Sequence, residues 1–251
     1  MNHRKRLALI AISAVALAVP FTATAQEEPA NQMLSLLELH VKAGHDSDFR
    51  AGITAWKECY LEKEGNGSWN LWRRQQGQGT VYVAAFTMKN WGDLDTPDEA
   101  ARNCQDVARE KITPYTHAEG TTSSYVRLMP DISRSAPVGD VIWVSNFRAE
   151  DSRLMMEVAR KVVAAMKEVE GDSRGYWYSV MGGDENAADY FVVTPFENFA
   201  ALEQERDEVW DVVAKVHGEE ESERLRSGFM DSLDTSWSYI FRRDSELSHN
   251  P

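Results

Sequence analysis

Apolar residues recur along this chain with two different spacings. Within residues 46–63, Phe49, Ile53, Trp56 and Tyr60 are separated by four, three and four positions, which places them on one face of a helix. Runs such as MLSLLELHV and TVYVAAFTM are instead apolar over almost their whole length. Nearly continuous apolar runs are typical of strands buried on both faces. The pattern therefore predicts helices alternating with deeply buried strands.

The same order of elements is predicted twice. Each half reads as strand, helix, two strands, helix and strand, with the last strands at SSYVRL and SWSYIFRR. Local matches occur in the same order, because TVYVAAFTMKNW lies over ADYFVVTPFENF, Trp69 over Trp177, and RLMPDIS over RRDSELS. The alternative is chance similarity of two α/β halves. The pattern predicts two β-α-β-β-α-β ferredoxin-like units at 26–133 and 140–251, joined by a linker at 134–139.

One such unit leaves a sheet face uncovered, so two units in one chain are predicted to pack sheet against sheet. This duplication, with the strand-to-helix joints TMKNW and TPFENF, resembles the dimeric alpha-beta barrel superfamily. The resemblance implies an α+β fold in which two tandem units pair their sheets into an intramolecular barrel with helices outside. The chain would then be a monomeric pseudo-dimer. The resemblance also implies a small ligand bound between sheet and helices.

The N-terminus has the pattern of a secretory signal peptide. A basic MNHRKR segment precedes the apolar LALIAISAVALAVP, and small residues Ala23 and Ala25 follow. Cleavage is predicted after Ala25, which makes residues 1–25 a signal peptide. No later apolar run approaches membrane-spanning length, so no membrane span is expected after cleavage. The predicted location is periplasmic or secreted.

Charge narrows the range of partners. The full chain has a formal net charge of −13, and the predicted signal peptide contains three cations and no acid. Its removal leaves a more acidic chain. Nucleic acids and anionic lipids attract clustered Lys and Arg, so neither is an expected partner. A small-molecule ligand remains the expected partner.

The only two cysteines fall on the two helices predicted for the first half. Helices of this unit pack side by side on one sheet face, and an exported protein meets an oxidising environment. Cys59 and Cys104 are therefore predicted to form a disulfide. The alternative is that both are plain core residues, because the repeat aligns them with Ala165 and Val212.

Aromatic and polar residues at strand ends and joints are the candidates for ligand binding. Trp72 adjoins Arg73 and Arg74, and stacking combined with an arginine suits a planar, acidic aromatic ligand. The resemblance to haem-degrading members implies an Asn late in the first strand, which Asn146 matches in the second half, and a Trp at the strand-to-helix joint, which Trp91 matches in the first half. The predicted ligand-binding residues are His40, Trp72, Trp91, Asn146, Tyr176 and Tyr178.

Histidine is scarce, and no HExxH, CxxCH or GxSxG motif occurs. No metal site and no cofactor are predicted. His217 precedes Gly218 at a predicted helix end, where it could complement the helix dipole. Haem with His217 as its ligand is the alternative that the resemblance implies.

Three functions remain open. The first is an exported soluble protein that binds a small apolar or aromatic ligand between sheet and helices. The second is a cofactor-free monooxygenase-like oxidoreductase or a haem-binding protein of the same superfamily. The third is a non-catalytic envelope scaffold. An oxygenase requires polar groups that converge in an apolar cavity, whereas a scaffold requires no pocket.

Overall fold

The computed structural model describes residues 32–137 and 139–251, so the predicted signal peptide lies outside the described residues. In the described residues the strands are β1 Met33–Val41, β2 Trp69–Arg74, β3 Thr80–Met88, β4 Thr122–Leu128, β5 Val141–Ala149, β6 Tyr176–Gly182, β7 Tyr190–Phe196 and β8 Leu233–His249. The helices there are α1 Asp46–Glu62, α2 Glu99–Asn103, α3 Gln105–Lys111, α4 Ser152–Glu170, α5 Val209–His217 and α6 Glu219–Asp231. None of these helices is both long enough and apolar enough to cross a bilayer.

All eight described strands join one closed barrel. Their order is β1-β3-β2-β8-β5-β7-β6-β4, and every neighbouring pair is antiparallel. The first half of the chain supplies β1 to β4 and the second half supplies β5 to β8. The halves meet at two seams, β2 with β8 and β4 with β6. The predicted α+β class with an antiparallel barrel inside one chain is confirmed.

Alternation of side chains along the strands gives the barrel two apolar layers. The inner layer joins strands from both halves without any helix, as in the cluster of Trp72, Ile142 and Phe241. The outer layer packs the sheet against helices, as where Phe49 of α1 meets Tyr82 of β3. Strands such as β1 and β3 are thus covered on both faces, which explains why they are apolar over almost their whole length, whereas β8 has an exposed outer face.

Helices α1 and α3 approach each other closely at a glycine. A Cβ added at Gly52 would lie 2.0 Å from the carbonyl oxygen of Lys111, so only glycine fits there. Cys59 of α1 is bonded to Cys104, the residue between α2 and α3, with Cα atoms 6.0 Å apart. This is the cysteine pair predicted from the sequence, and its Cα separation lies in the usual range for a disulfide.

The second helical region of the first half begins with α2 at Glu99. Asp98 is its N-cap and accepts a hydrogen bond from the Ala101 amide at 3.0 Å. The other oxygen of Asp98 accepts the Tyr60 hydroxyl at 2.6 Å, which ties the cap to α1. The tertiary contact therefore decides where the helix starts.

The second half contains a helix that the periodicity argument missed. Helix α5 ends at His217 because Gly218 adopts φ +84°, and α6 then begins at Glu219. Three glutamates fill the first turn of α6, where they favour the positive end of the helix dipole. Leu225 of α6 is buried against α4 and α5.

The repeated RLMPDIS and RRDSELS segments make similar contacts, although residues 130–132 form a 3₁₀ turn and residues 244–248 lie at the end of β8. Ile132 and Leu247 are each 3% exposed in the layer between sheet and helices. The following serine fixes each segment, because the Ser133 hydroxyl accepts the Trp177 amide at 2.8 Å and the Ser248 hydroxyl accepts the Leu71 amide at 2.9 Å. We call residues 129–133 and 244–248 the two latch segments. They close the layer under the helices of each half.

Candidate ligand-binding site at one mouth of the barrel

One end of the barrel is lined by polar and aromatic side chains from both halves. At this end β1, β2, β5 and β6 finish, and the β2–β3 and β6–β7 turns lie there. The inward-facing residues of this mouth are Glu38, His40, Arg74, Asn146, Arg148, Trp237 and Tyr239. All seven are partly exposed, whereas Trp72 and Phe241 beneath them are 7% exposed. The mouth therefore opens to solvent above an apolar floor.

Arg74 stands at the mouth with unused hydrogen-bonding capacity. Its guanidinium carbon lies 4.6 Å from the centre of the Tyr239 ring, and one terminal nitrogen donates to the Gln78 carbonyl. Its Nε is buried and has no hydrogen-bond partner among the described residues. Gly77, at φ +95°, brings the β2–β3 turn against Tyr239 and Arg74. The other terminal nitrogen forms no hydrogen bond with a described residue, so the guanidinium can still donate to an acceptor from outside.

His40 and Glu38 form a second polar feature of the mouth. The His40 Nε2 atom lies 2.8 Å from Oε1 of Glu38, and their side chains are 33% and 37% exposed. Both residues face inward because they alternate with Leu37, Leu39 and Val41, which face the helices. The two features share one row across the sheet. Arg73 pairs with Tyr82, so Arg74 lies opposite Val81, and Val81 pairs with His40.

Asn146 and Trp237 complete the wall on the side of the second half. They are cross-strand partners, and the Asn146 side-chain amide donates to the Trp237 carbonyl at 3.4 Å. Arg148 is occupied by other groups, because it contacts Asp234 at 3.9 Å and donates to the Asn186 carbonyl. Arg74 is therefore the arginine of this mouth that has no carboxylate partner among the described residues.

The floor of the mouth is aromatic. Trp72 and Tyr178 are 7% and 8% exposed, and Tyr178 stacks on Phe191 with ring centres 5.0 Å apart. Burial raises the pKa of the Tyr178 hydroxyl well above its usual value. Tyr178 is thus a neutral phenol at physiological pH.

Five of the six predicted ligand residues face the barrel interior. His40 and Asn146 lie in the mouth, and Trp72 and Tyr178 lie in its floor. Tyr176 lies at the opposite end, where its hydroxyl donates to the Ala136 carbonyl and burial raises its pKa. The structure thus brings four of the six residues into one region.

Trp91 is separate from the others. It is 42% exposed on the outside of the barrel and meets Tyr125 edge-on at 5.3 Å. The predicted cavity between sheet and helices also does not coincide with the predicted residues, because the inner face of the barrel carries most of them. Two surface depressions among the described residues lie along α6 and at the β6–β7 turn, and neither lies between sheet and helices.

Sequence reasoning missed Glu38, Trp237 and Tyr239 as candidates. The signal was present in β8, where the aromatic residues Trp237, Tyr239 and Phe241 recur at every second position. That period of two indicates one inward face. What it does not give is which strand lies opposite, and this requires the closed barrel.

The layer under α1 holds a polar cluster, but its members satisfy one another. The buried Tyr82 hydroxyl donates to Asp46 at 2.9 Å, and Arg50 donates to Asp244 of the second latch segment. Burial raises the pKa of Tyr82, so this phenol acts as a donor and not as a base. The carboxylate of Asp244 raises the pKa of Arg50, which keeps the ion pair charged. This cluster fastens the latch to α1.

His217 does not fit the role of a haem ligand. It is the exposed last residue of α5, directly before the turn at Gly218. The nearby layer of the second half is filled by Val158, Val212 and Val213, which are at most 3% exposed. A planar macrocycle has no slot beside this histidine. Within residues 32–137 and 139–251, no group of three or more potential metal ligands is clustered.

Comparisons with known proteins identify the fold and no closer relationship. No protein-family model matches the chain, and no curated protein does. An anthrone oxidase-like protein superposes with a TM-score of 0.55 at 8% identity, covering 86% of this chain and 93% of its own. A mutant chlorite dismutase from Candidatus Nitrospira defluvii gives a TM-score of 0.51 at 5% identity, covering 86% and 92%.

A proposed monooxygenase from Lactobacillus acidophilus gives a TM-score of 0.50 at 12% identity, covering 86% of this chain and 95% of its own. These structures share the fold of this chain, and at 5–12% identity the likeness shows the fold alone. Because the names describe different chemistries, the fold alone assigns none of them.

Proposed function

We propose that this protein binds a small, planar aromatic molecule with an acidic group in the mouth of its barrel. The observation that carries the proposal is Arg74, a cation stacked on Tyr239 that has no carboxylate partner and only one hydrogen bond from its terminal nitrogens among the described residues. An eight-stranded barrel has an interior that side chains fill or that holds one small ligand. Barrel mouths are also common ligand sites.

The chemistry of the wall matches this ligand class. The rings of Trp237 and Tyr239 offer stacking surfaces, and a guanidinium binds carboxylate or phenolate oxygens with charge-assisted hydrogen bonds. The chain is strongly acidic overall, so nonspecific attraction of anions is weak. Because Arg74 has no carboxylate partner, an anionic ligand is expected to bind at this arginine and not to the rest of the surface.

A monooxygenase-like activity is the second candidate. Solved structures with this fold include a proposed monooxygenase and an anthrone oxidase-like protein. The His40–Glu38 pair supports this candidate, because it supplies a proton acceptor in the same mouth. Both candidates require the binding step at Arg74. A non-catalytic scaffold would bind nothing there.

Isothermal titration of the chain from Gln26 with 2-naphthoate tests the binding step. We expect Arg74→Gln to weaken binding by at least tenfold, because a hydrogen bond to a charged group contributes about 1.5–3 kcal/mol. Arg226→Gln, on the exposed face of α6, removes the same charge far from the mouth. It is expected to change the affinity less than twofold. No binding by the unaltered chain, or equal losses in both variants, would contradict the proposal.

We also infer that the chain is exported with cleavage after Ala25 to the periplasm or the medium. The paired cysteines support this, because structural disulfides persist mainly in oxidising compartments. Expression of the full chain in a bacterium should give a soluble periplasmic or secreted protein whose N-terminal sequence begins at Gln26. Recovery of the uncleaved chain in the cytoplasm or in the membrane fraction would refute this inference.

We further infer that the two predicted halves are copies of one unit. The support is that each half has the same strand order and the same latch segment. Arg127 pairs with Ser179 at one seam, and Arg242 pairs with Arg73 at the other. If Arg127 corresponds to Arg242, then Ser179 corresponds to Arg73, and Trp177 two residues earlier corresponds to Leu71. The predicted match of Trp177 with Trp69 is then wrong by two positions. Homologous sequences should align the halves with this corrected register, and an unrelated register in them would count against duplication.

A further inference from the structure

His40 and Glu38 face the same mouth as Arg74, and simple ligand binding leaves their pairing unused. We propose that His40 accepts the proton of a phenolic ligand, so that the mouth holds the ligand as its phenolate. This inference rests on the proposed function and narrows the ligand class to hydroxylated aromatic molecules. His40 would be the proton acceptor, Glu38 its positioning residue and Arg74 the partner of the phenolate.

The orientation of the imidazole favours this role. Glu38 lies 2.8 Å from Nε2, so an ionised Glu38 holds the tautomer with the proton on Nε2 and leaves Nδ1 with its lone pair. A Cβ added to Gly120 would lie 2.9 Å from Nδ1 and 3.1 Å from each of the two ring atoms bonded to Nδ1. Nearly equal distances mean that Gly120 packs on the face of the ring. The in-plane lone pair of Nδ1 is therefore not covered by this glycine.

The spacing of the two groups suits one aromatic ring. Arg74 and His40 flank Val81 in one row of the sheet, which places their backbones two strands, or about 10 Å, apart. Val81 is fully buried beneath them. Two long side chains that rise from positions about 10 Å apart can both reach a ligand lying over Val81.

The proton transfer balances without any further reactant. The O–H bond of the phenol breaks, and an N–H bond forms at Nδ1 of His40. The imidazolium keeps its Nε2–H on Glu38, and the phenolate oxygen remains beside Arg74. The transfer thus creates an imidazolium next to the Glu38 carboxylate and a phenolate next to the Arg74 guanidinium. No electron transfer is involved.

The surroundings of His40 link the transfer to binding. On its own strand it faces Glu38, and in the same row it faces the cation of Arg74. The neighbouring inward positions carry Val81 and Val83 on β3 and Thr122 and Ser124 on β4, which are uncharged. Among the described residues, His117 and Glu119 of the adjacent loop form no side-chain hydrogen bond or ion pair with His40. A phenolate bound over Val81 would lie between the side chains of Arg74 and His40, so both could contact its oxygen.

Absorbance titration with 4-nitrophenol tests the inference, because its phenolate absorbs in the visible range and its phenol does not. The chain from Gln26 is added at a pH about one unit below the solution pKa of the probe, and calorimetry measures binding separately. We expect the bound probe to be at least fivefold richer in phenolate, relative to phenol, than the free probe. His40→Gln should return that ratio to the solution value for whatever fraction of the probe calorimetry shows to be bound. Glu38→Gln should lower it partly.

The outcomes separate this inference from the proposed function. Binding of 4-nitrophenol without extra phenolate would overturn proton transfer and leave the binding site standing. Undiminished phenolate in His40→Gln, with an unchanged circular dichroism spectrum, would show that His40 is not the acceptor. Absence of binding for both 4-nitrophenol and its methyl ether 4-nitroanisole would overturn both proposals. If the His40→Gln variant does not fold, Glu38→Gln still tests the inference. An unchanged ratio of bound phenolate to bound phenol in that variant would show that Glu38 does not position His40 for the transfer.

Discussion

Reduction of the Cys59–Cys104 disulfide is expected to lower the free energy of unfolding by about 4 kcal/mol. The bond spans 45 residues of sequence, and opening a loop of that length restores conformational entropy to the unfolded chain. The bond also joins α1 to the break between α2 and α3, so its loss loosens the helical layer of the first half only. The second half has no equivalent crosslink among its described residues.

Urea unfolding with and without a phosphine reductant measures this effect. The matched control is the double variant Cys59→Ala/Cys104→Ala, which should be less stable from the start and should not respond to the reductant. Two thiols reacting in the unreduced, denatured protein would contradict the pairing. An unchanged midpoint for the reduced protein would contradict the expected stabilisation.

Leu247→Ala is expected to lower the free energy of unfolding by about 3 kcal/mol, although it lies only four residues from the C-terminus. Its side chain is 3% exposed and packs with Phe49, Leu71 and Tyr82 between α1 and the sheet. Removing a buried leucine costs its transfer free energy and leaves a cavity. The segment cannot readily collapse onto that cavity, because Lys57 donates to the carbonyls of Glu246 and Ser248.

The controls for Leu247→Ala lie in the same chain. Ile132 is the corresponding residue of the first latch segment, and Ile132→Ala should have an effect of similar size. Leu94→Ala, at a residue 50% exposed, should change stability by less than about 0.5 kcal/mol. If Leu247→Ala behaved like Leu94→Ala in thermal or urea unfolding, the latch would not close the layer under α1.

Much of the fold could be predicted because its signals are local. The stripe through Phe49, Ile53 and Tyr60 defines α1, and these residues are buried as expected. Continuous apolar strands imply cover on both faces, and a closed barrel with outer helices provides it. Helix α6 was missed because its polar composition hides a narrow buried face that contains Leu225. That face is buried only because α6 packs against α4 and α5.

The candidate site was less predictable because its residues converge only when the barrel closes. His40 and Asn146 were selected as polar strand-end residues, but neither suggests its neighbours across the mouth. The partners Glu38 and Tyr239 look like an exposed acid and an ordinary strand aromatic in the sequence. Strand register sets which side chains share a row, and one-residue shifts move a side chain to the other face. Periodicity alone could not fix that register between distant strands.

A crystal structure of the chain from Gln26 with 2-naphthoate tests the central claim most directly. The account predicts the carboxylate within hydrogen-bonding distance of Arg74 and the ring system against Tyr239 or Trp237, at the inner face of the mouth. A ligand bound instead between α1 and the sheet beside Leu247, or outside the barrel at Trp91, would contradict it. So would an empty mouth in crystals grown at a ligand concentration that saturates binding in solution.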